Sequence, residues 1–204
     1  MKRAHPYDRE KALDAAQDLF WRKGYHATSL KDLEAALAMK PGSIYAAFKS
    51  KEALYLASLE RYFLSGRHAL REQMAGAGTV LGGLADHLRS HGNMTGETSD
   101  GRACMIVKTL LDTTDDDGAV SDRARAYFEA MRDEFARFFR KARDNGELPP
   151  DADPDRLARR YQANITALRV EAHLGGDPAG VKDLAASMAR DVENLQVGGG
   201  THQH

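Results

Sequence analysis

The chain has one cysteine in 204 residues, which excludes an intrachain disulfide framework and any zinc site built from several thiolates. No apolar run approaches the roughly 18 residues of a membrane span. The first residues, Met1-Lys2-Arg3-Ala4-His5-Pro6, hold no apolar signal core, so a cytoplasmic protein is expected. Strand signals are missing too, since apolar and polar residues nowhere alternate over a strand's length. There is no glycine-rich phosphate loop, no nucleophile motif and no internal repeat. One cysteine among scattered histidines is a weak enzyme signature, and neither a catalytic residue nor a cofactor is expected. The net charge of −1 lacks the excess of a uniformly basic nucleic-acid binder. Its distribution is uneven, however. Residues 1–50 carry nine Lys/Arg against six Asp/Glu, and the remainder carries twenty against twenty-four. A basic head on an acidic body suits contact with DNA at one end.

What is present is helical periodicity, and the spacing predicts an all-α chain of about nine helices. Leu13, Ala16 and Phe20 share one face of a first helix over 8–23, which Gly24 ends. A long helix from Lys51 to about Met74, capped by Ser50, carries Leu56, Leu59 and Phe63 inward. A weaker helix over 79–91 contains Gly82 and Gly83. Residues 92–102 read as a polar loop. The segment 103–112 is apolar nearly all round and is expected to lie buried in the body. Phe128, Met131, Phe135 and Phe138 form one seam of a helix over 120–145. Asp153-Pro154 and Asp177-Pro178 each open a helix, with Asp as cap and Pro in the first turn. The first of these aligns Leu157, Tyr161, Ile165, Leu168 and Ala172; the second aligns Val181, Leu184, Met188, Val192 and Leu195. The expected organisation is a DNA-binding head over 1–50, a helical body over 51–197 and a disordered tail over 198–204.

The stretch 28–51 organises the rest. Leu30, Leu33 and Leu37 form the stripe of a short helix, with Ser29 as N-cap and Asp32 three residues on, a capping-box arrangement. A second short helix starts at Lys40-Pro41-Gly42 and turns Ile44 and Phe48 inward. Two helices joined by a tight turn make a helix-turn-helix. The second helix, polar at its start and flanked by Lys40, Lys49 and Lys51, has the character of one that enters a major groove.

The residues themselves narrow this further. Gly24-Tyr25-His26-Ala27-Thr28-Ser29, then 40–48 (KPGSIYAAF), then Ser50-Lys51-Glu52-Ala53-Leu54, closely resemble the N-terminal domain of the TetR (tetracycline repressor) family over about fifty residues. One departure is Ala38, where the family often has glycine; a β-carbon there reshapes the turn. The resemblance implies a three-helix DNA-binding head, a larger helical ligand-binding and dimerisation body, and a ligand-responsive repressor that binds a palindromic operator as a homodimer. The last two long helices would form the dimer interface. Thr28, Ser43, Tyr45, Lys49 and Lys51 would hold phosphates, while Lys40, Pro41, Gly42, Ala46 and Ala47 would face base edges. Lys40 would carry much of the hydrogen-bonded readout, since alanines offer only contact to thymine methyls.

A small-molecule inducer pocket is implied in the body. Its candidate lining is the set of polar or adaptable residues within apolar helices: His87, His91, Met105, Lys108, Thr109, Tyr127, Met131, Phe135, Tyr161 and Asn164. His87 and His91 share a helix face as two metal ligands would, but with no third ligand in view no metal site is expected. The segment 102–108 (RACMIVK) is similar to a stretch of NemR-like sensors of electrophiles and oxidants, which makes Cys104 a possible sensor thiol. Arg102 and Lys108 would supply positive charge beside it; the plainer reading is a small buried hydrophobe. Two other functions fit the chain: a cysteine-dependent redox protein or enzyme using Cys104, and a helical adaptor dimer that binds no DNA.

Overall fold

The computed structural model describes residues 9–94, 103–114, 117–175 and 177–196. Among these the chain forms nine α-helices and no strand. Residues 1–8, the expected tail and most of the 92–102 loop lie outside the described residues, as does Arg102.

Three short helices build the head: α1 (Arg9–Lys23), α2 (Leu30–Leu37) and α3 (Pro41–Phe48). α1 buries Ala12, Leu13, Ala16, Leu19 and Phe20. It stops at Gly24, whose φ of +87° suits a residue without a β-carbon. α2 starts with the expected capping box: the Ser29 hydroxyl accepts from the Asp32 N–H, and the Asp32 carboxylate accepts from the Ser29 N–H at 2.8 Å. α2 ends at Ala38 in the left-handed region, φ 52° and ψ 38°. The turn therefore keeps the shape that glycine favours, at a cost of roughly 1 kcal/mol for the β-carbon. In α3 Pro41 occupies the first turn, and Ile44 and Phe48 are buried.

The strut α4 (Lys51–Ala75) follows, capped by the Ser50 hydroxyl on the Ala53 N–H at 3.0 Å. Its 25 residues reach roughly 38 Å at 1.5 Å each. Leu54, Tyr55, Leu59 and Phe63 complete the head core, whereas Leu70 belongs to a second core further along. One helix thus carries the apolar faces of both cores.

The body comprises α5 (Val80–His91), α6 (Met105–Asp112), α7 (Gly118–Asp144), α8 (Pro154–His173) and α9 (Pro178–Glu193). α5 forms despite its two glycines because its N-terminus is capped twice. Thr79 accepts from the Gly82 N–H, and the Glu147 carboxylate accepts from Val80 and Leu81 at 3.0 and 2.9 Å. Gly83 also earns its place sterically, as a β-carbon there would sit 2.7 Å from that of Ala77. α5 packs closely against α9, where the core is made by Ala185 and Ala189. A β-carbon on Gly92 would come within 2.7 Å of Ala185. This close approach explains a difference from the sequence pattern. Val181 and Val192 are buried as expected, but Leu184 is exposed and alanines take the central positions.

α6 differs as well. Met105, Ile106 and Thr109 are buried, but Leu111 is 81% exposed, so the helix is two-faced. Its buried side joins the core shared with the head, not the second core. On α7 Phe135 is buried as expected and Phe139 is buried with it, while Phe128, Met131 and Phe138 are only half-buried.

Candidate DNA-reading helix and body cavity

On α3, burial of Ile44 and Phe48 turns the opposite face to solvent. Gly42, Ser43, Tyr45 and Ala46 are exposed there, with Tyr45 at 44%. Lys40 stands exposed at the N-cap with no capping hydrogen bond, and Lys49 stands exposed at the C-terminal end. The N-terminal end of a helix favours phosphate through its unpaired N–H groups and dipole. A β-carbon on Gly42 would meet nothing within 4 Å, so the chain leaves open space at that point. Pro41 and Ala47 are half-buried, and Ala47 leans on the head core.

Two members of the expected DNA set are placed otherwise. Thr28 is fully buried, and its hydroxyl donates to the Gly24 carbonyl at 2.7 Å. The physical reason is local: the turn after α1 leaves that carbonyl in need of a donor. Lys51 is half-buried with its Nζ 4.7 Å from the centre of the Tyr25 ring, a cation–π contact. Burial lowers its pKa, and Asp117 acts in the opposite sense.

Head and body meet through α6. The Trp21 indole donates to the Ala103 carbonyl at 2.7 Å. Lys108 donates to the Arg22 carbonyl at 2.8 Å and to Trp21's at 3.3 Å, placing a cation on the C-terminal end of α1. The Tyr55 and Thr109 hydroxyls are 2.7 Å apart. His26 meets the Asp117 carboxylate at 2.8 Å.

Beside this junction lies a cavity of about 360 Å³. Gln17 and Trp21 of α1 line it, with Tyr62, Phe63, Ser65 and Gly66 of α4 and His87 and His91 of α5. Ile106 and Val107 of α6, with Cys104 at its N-cap, close one side. Phe128, Met131 and Phe135 of α7 and Gln162, Ile165, Thr166 and Arg169 of α8 complete it. A few polar groups in an apolar, aromatic wall are the make-up of a small-molecule site.

Of the ten residues expected here, the structure brings His87, His91, Met131 and Phe135 to the cavity, together with Cys104. The others have different partners. Met105 is core. Lys108 and Thr109 make the junction bonds just described. Tyr127 stacks on Phe63 at 4.5 Å. Tyr161 stands behind His87, and both it and Asn164 border a depression of only about 10 Å³ between α8 and α9.

The histidines are held by a chain of hydrogen bonds. The Tyr161 hydroxyl donates to the Leu84 carbonyl at 2.8 Å, so His87 donates to Tyr161 from Nδ1, also at 2.8 Å. His91 donates from Nδ1 to the His87 carbonyl at 2.8 Å. Each neutral ring therefore keeps Nε2 as an acceptor. Burial, with the neighbouring His91 and Arg169 charges, lowers the His87 pKa to about 3; burial and Arg169 lower that of His91 to about 4. Among the described residues no three His, Cys, Asp or Glu side chains cluster as metal ligands would. Arg169 donates to the Tyr62 hydroxyl at 2.8 Å, and Cys104 lines the same cavity as Tyr62. Burial pushes the Tyr62 hydroxyl well above the usual tyrosine range.

Sequence reasoning missed Gln17, Trp21, Tyr62 and Arg169. The last had a signal: Arg169 falls one turn after Ile165, beside the apolar stripe of α8.

A solvent-facing second helix on a helix-turn-helix, carried by a helical body with a cavity, defines a DNA-binding transcriptional regulator. Residues 12–58 match the family described as bacterial regulatory proteins, tetR family, and residues 85–188 match the tetracyclin repressor-like C-terminal domain. The chain belongs to the TetR family. It is similar to the HTH-type transcriptional repressor ComR of Escherichia coli (strain K12), at 27% identity over 90% of this chain and 88% of that one. A cysteine mutant of the TetR family regulator CifR, complexed with 26 bp double-strand operator DNA, superposes with a TM-score of 0.84 at 29% identity, covering 92% of this chain and 98% of that one. The reduced form of Escherichia coli NemR shares the fold, with a TM-score of 0.76 at 20% identity over 93% of this chain and 97% of that one. Among the described residues no helix is long and apolar enough to cross a membrane.

Proposed function

We propose that the protein is a cytoplasmic repressor that binds a palindromic operator as a homodimer and leaves it when a small molecule fills the body cavity. The observation that carries the ligand-gated part is that the head's own α1 supplies two of the side chains lining that cavity, Gln17 and Trp21. A ligand there acts on the orientation of the head directly. Release needs only that the ligand bind one head spacing better than the other. Residues 1–50 act as the reading head and 51–197 as the ligand-binding and dimerisation body, with α4 as the strut common to both cores.

In this reading Lys40, Gly42 and Ala46 approach base edges, with Pro41 and Ala47 at the margin. Ser43, Tyr45 and Lys49 hold phosphates. Thr28 and Lys51 are assigned to the head's own packing, as their partners above indicate. Dimerisation through α8 and α9 is supported by Val170 on α8, Leu174 at its C-cap and Leu184 on α9, which leave 42%, 73% and 37% of their surface exposed. Named relatives that are repressors support repression as the mode.

The test compares two lysines. Lys40→Ala is expected to cost operator binding about 1–3 kcal/mol and to relax preference at one base position. Lys49→Ala is expected to weaken operator and non-operator DNA alike and to flatten the salt dependence. Equal, sequence-blind losses for both would contradict the assignment of Lys40.

A second trigger is favoured by the position of Cys104, whose side chain lines the same cavity as α6 begins. Its thiolate sulfur adds to an electron-poor C=C, and the resulting carbanion takes a proton from water. The adduct then occupies the cavity. N-ethylmaleimide should release wild-type protein from DNA but not Cys104→Ser, which should keep its operator affinity. Loss of DNA binding by untreated Cys104→Ser would instead make the thiol structural. A cysteine-dependent enzyme would show turnover that this variant abolishes.

A further inference from the structure

We infer that the body cavity is built for an organic anion: a flat apolar molecule with one carboxylate or sulfonate seated on Arg169 and an N–H or O–H accepted by Gln17. This rests on the inducer reading above and specifies its ligand.

The first ground is charge. Arg169 is the one formally charged side chain among the described residues that line the cavity, and no Asp or Glu lines it. Its guanidinium bonds the Tyr62 hydroxyl at 2.8 Å and makes no ion pair with a described residue. His87 and His91 are neutral at pH 7 and bring acceptors without charge. The cavity therefore presents a single positive charge in a largely apolar wall. A guanidinium stays protonated under all ordinary conditions, and a partly desolvated cation without a counter-ion is costly. An anion offsets that cost through charge-assisted, bidentate hydrogen bonds.

The second ground is independent. The Gln17 Oε1 atom is buried and has no hydrogen-bond partner, alone among the buried side-chain polar atoms of the described residues. Gln17 lines the cavity from the head helix. Buried acceptors left unpaired are rare and costly, and a rotation of the amide toward the cavity that Gln17 lines would let a donor on the ligand satisfy this one. A ligand anchored at both ends would span α8 of the body and α1 of the head. The rival reading of Arg169 is a clamp that merely ties α8 to α4 through Tyr62; it predicts no preference for anions.

The test uses a matched pair of fluorescent probes. 2-Anilinonaphthalene-6-sulfonate has a flat apolar body with a sulfonate at one end and an N–H at the other; N-phenyl-2-naphthylamine has the same skeleton and N–H without the sulfonate. Wild-type protein is expected to bind the sulfonate at one site per chain, at least tenfold tighter than the neutral probe. Arg169→Met should erase that preference while holding the neutral probe within about twofold, and Arg169→Lys should restore part of it. Gln17→Leu should weaken both probes. Retained binding of the neutral probe reports an intact cavity; if the methionine variant fails that check, Arg169→Gln replaces it with the same two outcomes. Equal affinities in the wild type, or a sulfonate preference that survives loss of the charge, would overturn the proposal. A mobility-shift assay separates this from the gating reading. Sulfonate bound through Arg169 with operator affinity unchanged would leave the anion site standing and refute ligand-triggered release. Release by the neutral probe alone would do the reverse.

Discussion

The indole N–H of Trp21 and the carbonyl of Ala103 meet at 2.7 Å, joining the first helix of the DNA-binding head to the residue before Cys104. Trp21 also packs edge-on against Tyr62, with centroids 5.0 Å apart, and lines the body cavity. One side chain thus touches ligand space, the start of α6 and the head.

Trp21→Phe keeps an aromatic ring, though a smaller one, and removes the donor, leaving the Ala103 carbonyl short of a partner. Operator affinity without ligand is expected to stay within about threefold. The factor by which bound anilinonaphthalene sulfonate lowers that affinity should shrink about fivefold, a loss of roughly 1 kcal/mol of coupling. Mobility shifts with and without the probe measure both. An unchanged factor would remove this bond from the coupling path.

Tyr45, exposed on the outer face of α3, is assigned to phosphate. Tyr45→Ala should weaken operator and non-operator DNA by a similar factor, about five- to thirtyfold for a loss of 1–2 kcal/mol. Anisotropy titrations on both DNAs check this, and a loss confined to the operator would make Tyr45 a base reader.

Stability should fall between pH 7 and pH 5. His87 and His91 have folded pKa values of about 3 and about 4, against an ordinary 6.5. Between 6.5 and 4 the unfolded chain takes up protons that the folded chain refuses, so acid favours unfolding. The contribution is full above 6.5 and declines as pH drops, by about 2 kcal/mol at most per imidazole at pH 5. Urea midpoints at the two pH values measure it. His91→Gln should flatten the decline, and a wild-type midpoint that does not move would contradict the neutral, buried state of the pair.

Ala38 occupies a left-handed position at φ 52°. Ala38→Gly should raise stability by up to about 1 kcal/mol, the relief of the β-carbon outweighing the added freedom of the unfolded chain. Chemical denaturation decides the sign.

Leu174 is 73% exposed near the end of α8. Light scattering of the wild type should give twice the 22.4 kDa chain mass. Leu174→Glu should shift the protein toward monomer and cost operator affinity more than non-operator affinity, because a palindrome needs both heads. A dimer unaffected by the charge would place the interface elsewhere.

The parts of this molecule that are local in sequence were legible there. Ser29 with Asp32, Ser50, Asp153-Pro154 and Asp177-Pro178 mark helix starts within a few residues, and the structure has a helix at each. The outer face of α3 follows from where Ile44 and Phe48 must point. The cavity did not follow, because its contacts join distant positions. Arg169 and Tyr62 are 107 residues apart, and Glu147 reaches back 67 residues to cap α5. Lys108 has the periodicity of a cavity residue, but its flexible stem reaches the open carbonyls of α1 instead. Gln17 and Trp21 are head residues by sequence, and only the packing of α1 against α4 and α6 turns them toward the body.

Sequence-specific DNA recognition falls to α3. The most direct measurement is a selection from genomic fragments followed by anisotropy titration of the recovered DNA against unrelated competitor. Recovery of a palindromic site bound about a thousandfold or more above the non-specific level is expected, with that margin narrowed about five- to 150-fold in Lys40→Ala. Recovery of no preferred fragment, with weak binding to all DNA that physiological salt erases, would contradict it.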